Sequence, residues 1–202
     1  MKLYYTPNTG RPVRVAWLLE EIGAPYEVVP VTREQRRGAE HLKRQPLGRV
    51  PAVELDDGRT LFDSTALVLH LADLHPDAGI LAAPGSIERG LAYQWSLTAI
   101  TELEPAAVAY VRRDERTDQG AGPRARFAEV AGVFSDALAG RQFLIGERLS
   151  VADIVLGGTV GVAYYAQLMP DAAPGLVDYY RALAARPAFA RALERTESLL
   201  RG

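Results

Sequence analysis

Two dipeptides, Val50-Pro51 within QPLGRVPAVE and Asp63-Ser64 within LFDS, carry the most specific chemistry in this sequence. A proline at a strand start can leave the N–H and C=O of the preceding residue unpaired. Free backbone groups of that kind bind an extended peptide as an added strand would. Asp63 and Ser64 stand where an apolar-periodic helix begins, and the first N–H groups and positive end of a helix attract an anion. Ser64 is thus placed to bind a carboxylate and Asp63 to face an ammonium group. The same residues also read as an ordinary helix N-cap, and Pro51 as a strand-initiating proline with the commoner trans bond. Read as a ligand site, the two dipeptides form a socket for a small zwitterionic peptide.

A third segment, YTPNTGRP from Tyr5 to Pro12, sets several hydroxyls beside a helix start. A hydroxyl donor there, aided by the helix dipole, stabilises a thiolate. A free thiol with a pKa near 8.5 is ionised only to about a few per cent at pH 7, and lowering that pKa by about two units takes roughly 2.7 kcal/mol. One charge-assisted hydrogen bond and a helix end supply most of this. The chain has no cysteine. Any sulfur it acts on must arrive with a ligand, and a disulfide framework, a thiolate zinc site and a cysteine nucleophile are excluded.

The elements that must position these residues fall into two parts. Lys2 to Tyr5 reads as a strand. Arg11 to Ile22 reads as a helix, with Val15, Leu18, Leu19 and Ile22 at the spacing of one helix face, Pro12 in its first turn and Gly23 at its stop. Tyr26 to Val31 is a second strand, and Glu34 to Arg44 a short helix. Ala52 to Leu55 and Thr60 to Phe62 flank an Asp-Gly hairpin signal. Ser64 to Leu74 is helical, with Leu67, Leu71 and Leu74 on one side. This order predicts a small mixed sheet with helices packed on it. After a Pro- and Gly-rich linker the strand signals end. Helices are expected over 86–113, 123–139, 151–167, 175–185 and 188–199. The fold class is therefore α/β followed by all-α: residues 1–76, a linker over 77–85, and a helical domain over 86–202.

The 202 residues are 48% hydrophobic and 24% charged, with a net charge of −2. These values suit a globular chain and give no electrostatic reason to expect nucleic acid or an anionic membrane as partner. The basic run through Arg33, Arg36, Arg37, Lys43 and Arg44 is interrupted by Glu34 and Glu40 and reads as a solvated face. No run approaches the ~18 apolar residues of a membrane span. The start, MKLYYTPNTGR, has no apolar signal core, so a cytoplasmic protein is expected. His41, His70 and His75 lack metal-ligand spacing, and no metal is expected.

FLIGERLSVADI carries a folding signal: Ser150 as N-cap and Asp153 at the third helical position form a capping-box variant, with Leu149 and Ile154 where a hydrophobic staple would stand. Three motifs, YTPNTGRPVRVAWLLEE, QPLGRVPAVE with LFDS, and FLIGERLSVADI, occur in this order along nearly the whole chain. Together they resemble the soluble glutathione transferases of the bacterial, hydroxyl-using type. The resemblance implies a thioredoxin-like glutathione-binding domain followed by a helical bundle. It also implies a homodimer, glutathione as co-substrate and a small hydrophobic electrophile as its partner in the reaction.

By that resemblance, Val50 pairs with the cysteinyl backbone of glutathione and Pro51 is the family's cis proline. Arg49 replaces the Lys that meets the glycyl carboxylate in many members. Asp63-Ser64 replaces Glu-Ser at the glutamyl end, and Gln45 stands for the more usual Asn. The thiol-activating group aligns with Thr9, with Tyr5 and Asn8 as alternatives. Tyr110 and Arg113 are candidates for the electrophile's site. Two other activities stay open on these residues: a non-catalytic module that binds a ligand or partner, and a glutathione-dependent peroxidase or disulfide reductase.

Overall fold

The structure, a computed structural model, describes residues 1–111, 121–169 and 173–197. Packing divides the chain into two units: Met1–Ala78 together with the chain from Arg186 onward, and Gly79–Ala185.

The first unit holds a four-stranded sheet in the order β2-β1-β3-β4. Its strands are β1 (Lys2–Tyr5), β2 (Glu27–Pro30), β3 (Ala52–Glu54) and β4 (Thr60–Phe62). β1 and β2 are parallel, joined through α1 (Gly10–Ile22), whereas β1–β3 and β3–β4 are antiparallel. The helix ends where the sequence says it must: Gly23 takes a left-handed φ of 67° and donates its N–H to the Leu19 carbonyl. Asp57-Gly58 turns the β3–β4 hairpin, with Gly58 at φ 81° and the Leu55 N–H on the Arg59 carbonyl.

The expected short helix over 34–44 is two pieces, a 3-10 turn at Gln35–Arg37 and α2 (Ala39–Arg44). The extended backbone of Gly38 separates them. α3 (Ser64–Asp73) packs on α1 and buries Leu67, Val68 and Leu71. Leu74, predicted on that face, is the C-cap residue and is 52% exposed. The core beneath the helices comprises Leu3, Tyr5, Val15, Trp17, Leu18, Val53 and their neighbours.

The division by packing differs from the division by chain order. α9 (Pro187–Arg195) packs against α1 in the first unit, not within the helical domain. Its buried face, Ala188, Phe189, Ala192 and Leu193, includes an edge-on contact of Phe189 with Trp17 at 4.9 Å. Charge completes the seam. Arg186 grips Glu21 with two bonds of 2.6 and 2.9 Å, and Arg191 and Arg195 reach Glu20 at 2.7 and 3.3 Å. Burial alone pushes the Glu20 carboxyl up, but Arg191, Tyr26 and Arg195 outweigh it and hold the group below its ordinary range.

The second unit contains α4 (Ile87–Thr98), α5 (Glu104–Val111), α6 (Ala121–Ala137), α7 (Val151–Tyr165) and α8 (Pro174–Ala184). The single helix expected over 86–113 is broken by a π-helical turn at Ala99–Leu103. Pro105 explains the break. It has no N–H to give the carbonyl four residues back, and its ring crowds that carbonyl, so a locally widened turn relieves both. α7 is buried along most of its length, and at Gly161 an added Cβ would lie 2.9 Å from the Tyr180 ring. No helix of the described residues is long and apolar enough to cross a membrane.

Candidate functional site

Strand register brings the three chemistry-bearing segments to one end of the sheet. Tyr4 of β1 pairs with Ala52 of β3, and Ala52 pairs with Phe62 of β4. The segments just beyond those pairs are Thr6–Thr9, Val50-Pro51 and Asp63-Ser64. All three leave the sheet at the same end, two of them at the starts of α1 and α3. Val50 precedes an inner strand, so this segment lies at the mouth of the sheet and not along its edge.

The Val50–Pro51 peptide bond is cis. Val50 is buried, and among the described residues neither its N–H nor its C=O makes a hydrogen bond. The loop before it is tied down. Gln45, buried, accepts the N–H groups of Leu47 and Arg49 on its amide oxygen at 2.7 and 3.1 Å. Buried His41 reaches across from α2 to the Arg49 carbonyl at 2.7 Å. That acceptor requires the imidazole proton on Nε2, leaving Nδ1 buried with no hydrogen-bond partner among the described residues. The Arg49 side chain is exposed. Gln45 and His41 thus hold the backbone on either side of Arg49, the residue just before Val50.

Asp63 is the N-cap of α3. One of its oxygens accepts the N–H groups of Thr65 and Ala66 at 3.0 and 3.1 Å. The residue takes φ 75°, a left-handed value that favours glycine and is tolerated by Asp through local bonding of its side chain. The capping and ligand readings of Asp63 therefore share one carboxylate: Oδ1 caps, and no hydrogen bond to Oδ2 is made among the described residues. Ser64 is buried, and its hydroxyl accepts from Arg14 Nη1 of α1 at 3.4 Å.

At the start of α1, Thr9 is the N-cap residue by backbone geometry but makes no capping bond; its hydroxyl donates to the Thr6 carbonyl at 2.5 Å. Thr6 in turn donates to the Val31 carbonyl at 2.7 Å. Asn8 is exposed at φ 61°. The Tyr5 ring is 2% exposed, and its hydroxyl donates to Glu197 at 2.5 Å. Burial, reinforced by that bond and by the Glu197 charge, pushes the Tyr5 phenol up to about 12. Arg113 and the side chain of Tyr110 lie outside the described residues.

Sequence reasoning passed over Arg14, His41 and the Tyr5–Glu197 pair. Arg14 had a readable signal, an arginine inside the apolar face of α1 between Val13 and Val15. His41 had none, because its role depends on a loop crossing.

A mixed sheet of this order, with a cis X-Pro bond at its mouth and a helical second unit, defines a two-domain chain of thioredoxin-like and helical halves. The family description "Glutathione S-transferase, N-terminal domain" matches residues 1–73, and "Glutathione S-transferase, C-terminal domain" matches residues 99–187. The chain belongs to the glutathione S-transferase family. It is 29% identical over 190 residues to glutathione S-transferase GstA of Escherichia coli O157:H7, covering 93% of this chain and 94% of that one. It is 31% identical over 193 residues to glutathione S-transferase 4 of Zea mays, covering 87% and 83%. The solved structure of a sphingomonad glutathione S-transferase complexed with glutathione superposes with a TM-score of 0.85 at 31% identity, covering 97% of this chain and 98% of that one.

Proposed function

We propose that this glutathione transferase joins the glutathione sulfur to a small hydrophobic electrophile, working as a cytoplasmic homodimer. The cysteinyl backbone pairs with Val50, the glutamyl end meets Ser64 and the outer oxygen of Asp63, and the glycyl carboxylate meets Arg49. The sulfur lies beside Thr9. The observation that carries this reading is Val50: its N–H and C=O are unpaired among the described residues, in a loop whose neighbouring groups are fixed by Gln45 and His41. Buried backbone groups are almost always paired, so an unmatched pair at the sheet mouth fits a backbone that arrives with a ligand. The engagement of Tyr5 with Glu197 favours Thr9 as the hydroxyl that faces sulfur. Ile87, Tyr93 and Leu97 leave an exposed apolar surface on α4, which suits self-association.

The chain is expected to be retained on immobilised glutathione, to elute as a dimer and to conjugate a generic aromatic halide. Retention without turnover supports the binding module instead, and failure on both counts removes glutathione from the reading. Turnover of a hydroperoxide or small disulfide in place of the halide would favour the peroxidase or reductase.

His41 supplies a sharper test. His41→Ala frees the Arg49 carbonyl, and losing one such bond costs about 1 kcal/mol. Glutathione affinity, measured by calorimetric titration, is expected to fall roughly fivefold, the equivalent of that energy. His41→Gln, whose amide can still donate, should recover most of the loss.

A further inference from the structure

The charged side chain most completely buried in the first unit's helices is one that the proposed chemistry has not used. Arg14 is 1% exposed, on the face of α1 that packs against α3. One of its contacts is the Ser64 hydroxyl, which accepts from Nη1 at 3.4 Å and belongs to a residue only 3% exposed. A serine hydroxyl has one proton to give and two lone pairs to receive. Here a lone pair is taken by the guanidinium, and the proton has no acceptor among the described residues. Accepting from a cation also polarises the O–H and makes it a stronger donor.

The rest of the α3 start supports this assignment. Asp63 already occupies the Thr65 and Ala66 N–H groups, so the usual anion site of a helix N-terminus is filled by the protein's own carboxylate. The N–H and O–H of Ser64 remain, backed by the buried positive charge of Arg14.

We propose that Arg14 is a positioning residue for the glutamyl end of glutathione: by holding the Ser64 oxygen, it aims the hydroxyl proton at the ligand's α-carboxylate and makes that carboxylate a condition of tight binding. This rests on the proposed function above. Arg14 touches no reacting atom, so its influence is on affinity and selectivity, not on the sulfur.

The test compares glutathione with γ-aminobutyryl-cysteinyl-glycine, the same peptide without the glutamyl α-carboxylate, by calorimetric titration of the full-length protein. The wild type should prefer glutathione by about tenfold or more, the scale of a hydrogen bond to a charged group. Arg14→Met and Ser64→Ala should each weaken glutathione by about tenfold while leaving the analogue within about twofold. The double variant should be no weaker than the weaker single, because both changes remove one coupled unit. Arg14→Lys should fall between wild type and Arg14→Met. KM for glutathione should rise with kcat little changed.

Equal losses for both peptides, or single effects that multiply in the double variant, would assign Arg14 to fold integrity alone and overturn the proposal. Should Arg14→Met not fold, Arg14→Lys and Ser64→Ala decide: an undiminished preference for glutathione in either one overturns it. A wild type that binds neither peptide overturns the proposed function and this inference together, whereas wild-type binding with an Arg14-independent preference overturns this inference alone.

Discussion

Replacing Asp153 by Ala is expected to lower the melting temperature by roughly 10 °C, following from a loss of about 4 kcal/mol and the usual sensitivity of a chain this size. Four donors converge on this carboxylate. The Leu144 N–H and the Tyr179 hydroxyl both reach Oδ1 at 2.8 Å; the Ser150 N–H and hydroxyl reach Oδ2 at 2.8 and 2.6 Å. Asp153 is fully buried, so none of these donors finds water when the acceptor is removed. Each buried donor left unmatched costs about 1–3 kcal/mol, and such losses overlap within one network. The carboxylate joins three parts of the second unit: the loop at Leu144, the start of α7 and the Tyr179 side chain of α8. Asp153→Asn should also destabilise, because an amide nitrogen in either position meets a donor. Thermal unfolding followed by circular dichroism reads both variants. A melting temperature within about 2 °C of wild type for Asp153→Ala, less than one kcal/mol's worth, would contradict the role assigned to this network.

The same group gives stability a pH signature of unusual sign. Burial raises the Asp153 carboxyl above its ordinary 3.8, although the Leu144, Ser150 and Tyr179 bonds oppose it. Between 3.8 and the raised native value, the folded chain binds more protons at this site than the unfolded chain does. Stability from Asp153 is therefore greatest below 3.8, declines as pH rises through the native value and is level above it. Glu20, whose carboxyl is lowered, acts in the opposite direction: its contribution is present above the unfolded value and is lost as pH falls through the folded one. Subtracting the Asp153→Asn stability curve from that of wild type isolates the falling limb.

The capping box was legible because its signal is local: Ser, then Asp three residues on, before an apolar run. The α1 stripe and the Asp57-Gly58 turn were legible for the same reason, since periodicity and turn chemistry act over a few residues. The partners of Asp153 at Leu144 and Tyr179 were not, nor was the docking of α9 on α1. Glu20, Glu21, Arg186, Arg191 and Arg195 carry no local signal of pairing, because the fold alone brings positions over 150 residues apart within bonding distance. At the site, residue types and order pointed to segments that strand register brings to one end of the sheet, but hydroxyl roles depend on competition among acceptors. Thr9 and its alternative Tyr5 each offered a hydroxyl, and only the fold shows the acceptor each one holds, the Thr6 carbonyl for Thr9 and Glu197 for Tyr5. Asp63 read as a ligand group or a cap, and the structure shows the cap, made by Oδ1 alone.

That competition defines the most informative catalytic variant. If glutathione binds as proposed, with its sulfur beside Thr9, its thiolate competes with the Thr6 carbonyl for the Thr9 proton, and the negative charge makes it the stronger acceptor. If the bound thiol's pKa is lowered by about two units from 8.5, roughly three quarters of it is ionised at pH 7, against about 3% for an unassisted thiol. Thr9→Ala should therefore reduce kcat at pH 7 by up to about 25-fold, less whatever share the helix end retains. The deficit should close as pH rises above about 9, where either thiol is ionised. Glutathione affinity should change little, because the proposed grip on the peptide is by Val50, Ser64 and Arg49 and not by Thr9. Thr9→Ser should behave like wild type, since it keeps the hydroxyl. The pH profile separates thiolate stabilisation from a general disturbance of the α1 start, which would depress turnover equally at every pH. Undiminished turnover in Thr9→Ala would transfer the role elsewhere. Tyr5→Phe and Glu197→Gln then decide between a phenol released from its acceptor and a donor at Asn8 or the backbone.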